Sequence, residues 1–389
     1  MTLIYIAAGE ASGDILGARL MAALRRRRPG LAFAGIGGER MAEQGIQSLF
    51  PMRELSLMGL LEVLPNLRRL ARRMDQAEAD VLARRPALLV TIDAPGFTLR
   101  LAGRVRPHGI RVLHYVAPQV WAWRPGRVAR IAREVDRILA LLPFEPPFFA
   151  AAGIPVTFVG HPVLESGAGA GDAARFRATH GLGAAEVPVL VMPGSRRSEV
   201  ARLLGPFGEA LRLTEAAMPG LRPVVALAGP VEAAVRAGTA HWPRPPILVR
   251  DPGEKYDAFA AAAVGLIKSG TSSLEVAVAG VPHVVGYKLN PITAAIVRRL
   301  IKVPYVSLVN LLAERAVVPE LLQQACTPEA LAAALLRLLR DPDAAAAQRA
   351  GFAEVLARLT PPEGLPSEAA AAAVLAMLDE ACEANATVV

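Results

Sequence analysis

Two short stretches of this chain carry residue types that handle phosphate. In one, the apolar run Val189-Leu190-Val191-Met192 ends in Pro193-Gly194-Ser195-Arg196 and passes into a helical pattern. A glycine turn between strand and helix points free backbone N–H groups at one spot, and an arginine beside them offers a bidentate contact to phosphate. In the other, Gly265-Leu266-Ile267-Lys268 ends in Ser269-Gly270-Thr271-Ser272-Ser273-Leu274-Glu275, so hydroxyl and amide donors converge on a helix start. Glu275 falls in the first turn of that helix, placed either to accept from two ribose hydroxyls or simply to complement the helix dipole. Each stretch alone reads equally well as a capped turn. Two of them in one domain are more specific than either.

A third turn opens the chain, where Leu3–Ala8 runs into Gly9-Glu10-Ala11-Ser12-Gly13-Asp14 and a helical pattern over Ile15–Arg28. Its Gly-x-x-x-Gly spacing is not the dinucleotide fingerprint Gly-x-Gly-x-x-Gly. A site for an anionic or polyhydroxy ligand and an ordinary tight turn are both compatible with it.

The elements that must position these turns are short apolar runs without alternation, as expected of parallel strands buried on both faces. In the first half they are Leu3–Ala8, Leu31–Ile36, Ala87–Ile92, Arg111–Tyr115, Arg137–Leu142 and Pro155–Val159. A glycine- and alanine-rich stretch, Glu165–Asp172, reads as a linker. A second series follows at Val187–Met192, Pro223–Ala228, Ile247–Val249, Val264–Ile267 and His283–Gly286, then an alanine-rich helical tail. The expected fold is α/β, with two doubly wound Rossmann-like domains facing a cleft: residues 1–165, residues 166–342, and helices in 343–389 packing back across both.

With 389 residues, 53% of them hydrophobic, the chain can bury two cores. No apolar run reaches the roughly 18–20 residues of a spanning helix, and no signal-peptide pattern opens the chain. Cys326 and Cys382 form no metal-ligand or disulfide pattern, so a cytoplasmic enzyme is expected. Charge is uneven. Residues 1–165 hold 22 Lys and Arg against 14 Asp and Glu, a net +8, whereas residues 166–389 hold 21 of each. A basic half suits nucleic acid or an anionic membrane; no zinc knuckle, aromatic RNA-binding strand or helix-turn-helix accompanies it, which favours the membrane.

Between Leu55 and Met74 an apolar, Met-containing patch with Met58, Leu60 and Leu61 is followed by Arg68, Arg69, Arg72 and Arg73, with Pro65 dividing it. It reads as a core helix with a solvated basic end, or as an interfacial helix whose arginines meet anionic headgroups.

Several segments occur together in an order that resembles the lipid-A-disaccharide synthase family. They are Gly9–Asp14, Met58-Gly59, His114-Tyr115-Val116-Ala117-Pro118-Gln119-Val120-Trp121-Ala122-Trp123-Arg124, Leu142-Pro143-Phe144-Glu145, Gly160-His161-Pro162, Pro193–Arg196, Ser269-Gly270-Thr271 and Tyr305–Leu312. The resemblance spans roughly residues 3–340. It implies an inverting glycosyltransferase of the two-domain GT-B type that needs no metal or other cofactor. The enzyme would join UDP-2,3-diacylglucosamine to 2,3-diacylglucosamine 1-phosphate (lipid X), releasing UDP. The UDP-sugar would lie with the C-terminal domain at Gly194, Ser195, Arg196, Ser269, Gly270, Thr271, Ser272, Glu275 and Asn310. Of these, Arg196 and Asn310 match the family's functional arginine and asparagine. The lipid acceptor would meet the basic N-terminal domain at Ser12, Gly13, Met58, Leu60, Leu61, Arg68, Arg69, Arg72, Arg73, Trp121 and Trp123. Peripheral association with the anionic inner-membrane surface follows, nucleic acid is not expected, and a homodimer is compatible.

One position departs from the family. Its pattern Asp-Ala-Pro-Asp-Phe, whose second aspartate is the proposed general base, here reads Asp93-Ala94-Pro95-Gly96-Phe97. Asp93, Glu10 and His114 remain as catalytic candidates, with Asp93 at a strand's C-terminal end where α/β ligands gather. Asp341 and Asp343 precede a C-terminal helix and read as capping. Three readings therefore stand: a synthase using another base, a catalytically impaired lipid- or UDP-sugar-binding homologue, and another GT-B-type enzyme on a UDP-amino sugar, such as a 2-epimerase.

Overall fold

The computed structural model describes residues 2–386 except 56–65, 124, 228–230, 243, 291–292 and 295–302, and the side chains of residues 123, 125 and 381–386 are likewise not described. The chain divides into two compact units, Met1–Pro162 with Leu359–Val389, and Val163–Arg358.

The first unit is built on a parallel sheet of β1 (Leu3–Ala8), β2 (Ala32–Ile36), β3 (Leu88–Ile92), β4 (Val112–Tyr115), β5 (Arg137–Ala140) and β6 (Val156–Phe158), in the order β2-β1-β3-β4-β5-β6. From β1 the chain adds β2 on one side and then crosses to add β3 on the other. That reversal opens a crevice at the carboxyl ends of β1 and β3, where doubly wound sheets bind ligands. Ala8 pairs with Ile92, so the Gly9–Asp14 and Asp93–Phe97 turns leave the sheet side by side. A β-carbon built on Gly9 would fall 2.6 Å from the Ala94 Cβ, so this close approach requires glycine. β1 and β3 are buried on both faces, which is why their residues are apolar without alternation.

The second unit repeats the plan with β7 (Val187–Met192), β8 (Leu221–Ala226), β9 (Ile247–Val249), β10 (Val264–Lys268), β11 (His283–Tyr287) and β12 (Glu320–Leu322), ordered β12-β11-β10-β7-β8-β9. Here the switch point lies between β7 and β10. Met192 pairs with Ile267, which brings the Gly194–Arg196 turn beside the Ser269–Ser273 turn.

β12 has no counterpart in the sequence reading, because three residues headed by Glu320 make no apolar run. The stretch read as a linker is folded into the second unit: Ala168 is buried, and the Asp172 amide donates to Asp257 at 2.7 Å. The helix Pro366–Ala386 packs on Ala11–Arg27 within the first unit. Arg28 reaches Asp379, and Arg111 and Arg137 both reach Glu380. The helix Pro342–Leu359 belongs, up to Arg358, to the second unit.

Candidate active site

At the first switch point the chain leaves β3 in a conformation that L-residues rarely adopt. Asp93 has φ 49° and Ala94 φ 44°; one strand over, Val116 has φ 79°. Each such residue costs on the order of 1–3 kcal/mol and persists only where its surroundings fix it. The fixing contacts are present. The Asp93 amide donates to the Tyr115 carbonyl at 3.0 Å, and Thr98 Oγ1 donates to the carbonyls of Asp93 and Ala94. The half-buried Asp93 carboxylate accepts from the Ala94 amide at 2.8 Å and from Ser12 Oγ at 3.3 Å. Two of the residues singled out from sequence, Ser12 and Asp93, thus meet. Glu10, half-buried, occupies the N-cap position of the helix Ala11–Arg27, one residue beyond Gly9. Gly96 is exposed, and a β-carbon built there meets no atom within 4 Å.

Other candidates take structural roles. Gly13 is buried against Ala8 and Ile92. Asp14 is buried and accepts from the amides of Gly38, Arg40 and Met41, closing the start of the helix Glu39–Glu43. His114 is a correction to the catalytic set. It is fully buried in β4 with Nδ1 2.8 Å from Thr91 Oγ1, and burial pushes its pKa down to about 3. It presents no surface to a substrate. Arg73 is likewise committed: it makes a bidentate pair with Glu54, bonds Gln76 and lies over the Phe50 ring. That pairing holds the Glu54 carboxyl below its usual range. Arg68 and Arg72 are exposed, and Arg69 has a buried Nε without a hydrogen-bond partner. Met58, Leu60, Leu61 and the Trp123 side chain lie outside the described residues.

Trp121 donates from Nε1 to Glu145 at 3.1 Å and packs edge-on against Phe144. The other Glu145 oxygen accepts from the Leu141 and Leu142 amides. Burial raises this carboxyl to about 7, against the opposing pull of its three donors. Glu145 therefore pins the tryptophan turn to the end of β5.

In the second unit, Gly194 has φ 118°, open to glycine and strained for other residues. A β-carbon there would fall 2.4 Å from Glu199 Oε2. Glu199 is 5% exposed and, from the N3 position of the helix Arg197–Ala217, accepts from the amides of Ser195 (3.2 Å) and Arg196 (3.4 Å). Its other oxygen lies 3.2 Å from Lys268 Nζ and 3.6 Å from the Arg196 guanidinium. Neither Glu199 nor Lys268 stood among the sequence candidates. The signal available was glutamate three residues after the turn arginine, the N3 position of the helix that follows.

Across the switch point, Thr271 occupies the N-cap position of the helix Ser272–Val278 without a side-chain capping bond, and Ser269 Oγ donates to the Val306 carbonyl at 3.1 Å. Glu275 pairs with Lys255 at 2.7 Å. Asn310 is 1% exposed and fully occupied. Its Nδ2 donates to Val318 and Glu320, and its Oδ1 accepts from the Val317 and Val318 amides. Glu320 also accepts from the Val306 and Ser307 amides. Asn310 therefore shapes the loop leading to the site and has no hydrogen-bonding position left for a ligand here.

Two doubly wound parallel sheets, each with a topological switch point, give the chain a GT-B-type architecture. Solved structures agree on the fold. A UDP-GlcNAc 2-epimerase from Neisseria meningitidis matches with TM-score 0.63 at 13% identity, covering 97% of this chain and 100% of the other. A sucrose-phosphate synthase from Thermosynechococcus elongatus matches with TM-score 0.60 at 15% identity, covering 99% and 100%. At such identities the likeness shows architecture alone. Sequence relationships are much closer. The family model for lipid-A-disaccharide synthetase matches residues 4–374. The chain is 53% identical over 389 residues to a lipid-A-disaccharide synthase of Granulibacter bethesdensis, covering 97% of this chain and 99% of that one. With its counterpart in Gluconobacter oxydans it shares 52% over 378 residues, covering 97% and 91%. The chain belongs to the lipid-A-disaccharide synthase family.

Proposed function

We propose that the chain condenses UDP-2,3-diacylglucosamine with lipid X, giving the disaccharide 1-phosphate and UDP with inversion at the anomeric carbon. The observation that carries the reading is the Asp93 carboxylate, half-buried at the C-terminal edge of the first sheet and held by Ser12 and the Ala94 amide. It supplies a base where Gly96 has none. Asp93 accepts the proton of the acceptor O6 hydroxyl as the oxygen attacks the donor C1. The bond from C1 to the β-phosphate oxygen breaks, and the electron pair leaves with UDP. Glu10, beside the same turn, is the alternative base.

The donor binds the second unit. Arg196, whose side chain is 59% exposed, takes diphosphate charge, as an arginine does best in a preorganised site. Ser195, Thr271 and Ser272 add hydroxyl donors, and Glu275 accepts from the ribose with the oxygen that Lys255 leaves open. Ser269, Gly270 and Asn310 set the loop geometry. The acceptor lies with the first unit, and the exposed Arg68 and Arg72 meet its phosphate or the anionic membrane surface. Among the described residues no helix is long and apolar enough to cross a membrane, so the proposed association is peripheral.

The test is product analysis by mass spectrometry and NMR with each substrate alone and with both together. The proposal requires a β-linked disaccharide 1-phosphate only when both are present. Conversion of the UDP-sugar alone to its C2 epimer would overturn it.

A further inference from the structure

The ammonium of Lys268 joins the two turns of the second unit. Lys268 ends β10, its Nζ lies 3.2 Å from Glu199 Oε1, and a β-carbon built on Gly270 would fall 3.1 Å from that Nζ. The Tyr287 ring at the end of β11 lies 6.0 Å away. Glu199 meanwhile occupies the Ser195 and Arg196 amides from within the protein. These are the N–H groups that a helix start would otherwise offer to a phosphate. A diphosphate arriving at the Gly194–Arg196 turn finds these two amides taken, so on this side of the switch point its charge falls to side chains. Arg196 and Lys268 set two positive charges beside the one carboxylate of Glu199. Among the described residues Glu199 Oε1 has no hydrogen-bond partner, and it forms ion pairs with these two cations. Its charge holds Lys268 in place, while the lysine side chain keeps 19% of its surface open.

We propose that Lys268 is a second phosphate-binding cation of the donor site, aimed by Glu199, which receives the β-phosphate of the nucleoside diphosphate beside Arg196. It balances the charge that grows on the leaving oxygen as the glycosyl bond breaks. The proposal rests on the reading that the nucleotide binds the second unit.

Calorimetric titration of the full chain with UDP, UMP and uridine tests it, using Lys268→Gln, which keeps a donor toward Glu199, together with Lys268→Arg and Arg196→Gln. A charge-assisted phosphate contact predicts that Lys268→Gln weakens UDP about ten- to hundredfold. UMP should weaken less, uridine should be unchanged, and Lys268→Arg should recover most of the loss. Equal weakening of all three ligands, or none, would show a purely structural ion pair and overturn the proposal. In the second case, a retained effect of Arg196→Gln on UDP leaves the nucleotide in the second unit. Absence of that effect as well removes both readings.

Discussion

Ser12 Oγ lies 3.3 Å from Asp93 Oδ2, so the first turn of the chain holds the carboxylate that ends β3. Without the hydroxyl, Asp93 keeps the bond from its neighbouring Ala94 amide alone among the contacts described above. A base that is poorly oriented slows proton transfer more than it weakens binding. Ser12→Ala should therefore lower kcat about three- to tenfold, the worth of one hydrogen bond to a charged group at a partly exposed site. The KM for the UDP-sugar should stay unchanged, and steady-state kinetics with the donor varied reads both.

Asn310 makes a different demand. Replacing it by alanine strands the Val318 amide, leaves the Val317 amide only its bond to the Arg315 carbonyl, and takes donors from the Val318 carbonyl and from Glu320. Buried groups left without partners cost about 1–3 kcal/mol each, so Asn310→Ala should be destabilised by about 3 kcal/mol. Urea denaturation measures this directly. An unchanged midpoint combined with lost UDP affinity would instead make Asn310 a direct ligand contact.

Acid should weaken the second unit through His283. The ring stacks on Phe352 with centroids 5.2 Å apart, Nδ1 lies 3.0 Å from the Val281 carbonyl, and Nε2 is buried with no hydrogen-bond partner. Burial pushes its pKa from 6.5 down to about 4. Between those values the unfolded chain binds a proton that the native state refuses. The stabilisation is complete above pH 6.5 and is lost as pH falls toward 4. Glu145, raised from 4.5 to about 7, works in the opposite direction over much of this range. It is present in both proteins when wild type is compared with His283→Phe, so it cancels. Between pH 6.5 and 4.5 the wild type should lose about 2 kcal/mol more than the variant. Parallel curves would show that His283 takes up its proton without opening the core.

Much of this architecture was legible because buried parallel strands are written as short apolar runs. Leu3–Ala8 and Val187–Met192 appear in the structure with the bounds read from sequence. The turns were legible for a similar reason, since Gly9 and Gly194 stand where a close approach or a positive φ excludes other residues. What escaped the sequence were relationships between side chains distant along the chain. Lys268 and Glu199 are brought together only by the pairing of β7 with β10. His114 stood beside Asp93 and Glu10 as a candidate base that no motif assigned. Which face of β4 it occupied depended on sheet packing, and that face is closed. Arg73 looked like its exposed neighbours until Glu54, nineteen positions earlier, claimed it. Asn310 matched the family's functional asparagine, yet its partners lie in a loop and a three-residue strand, β12, that carry no pattern of their own.

Asp93 is proposed to perform the base chemistry for which the family's pattern places a carboxylate at the position of Gly96. The rate of disaccharide formation by wild type, Asp93→Asn and Gly96→Asp measures it most directly, and the open space around Gly96 lets the new side chain be accommodated. Wild type should turn over, Asp93→Asn should lose about a hundredfold or more, and no carboxylate should be required at position 96. A wild type without turnover that gains activity in Gly96→Asp, or an Asp93→Asn variant as fast as wild type, would contradict that proposal.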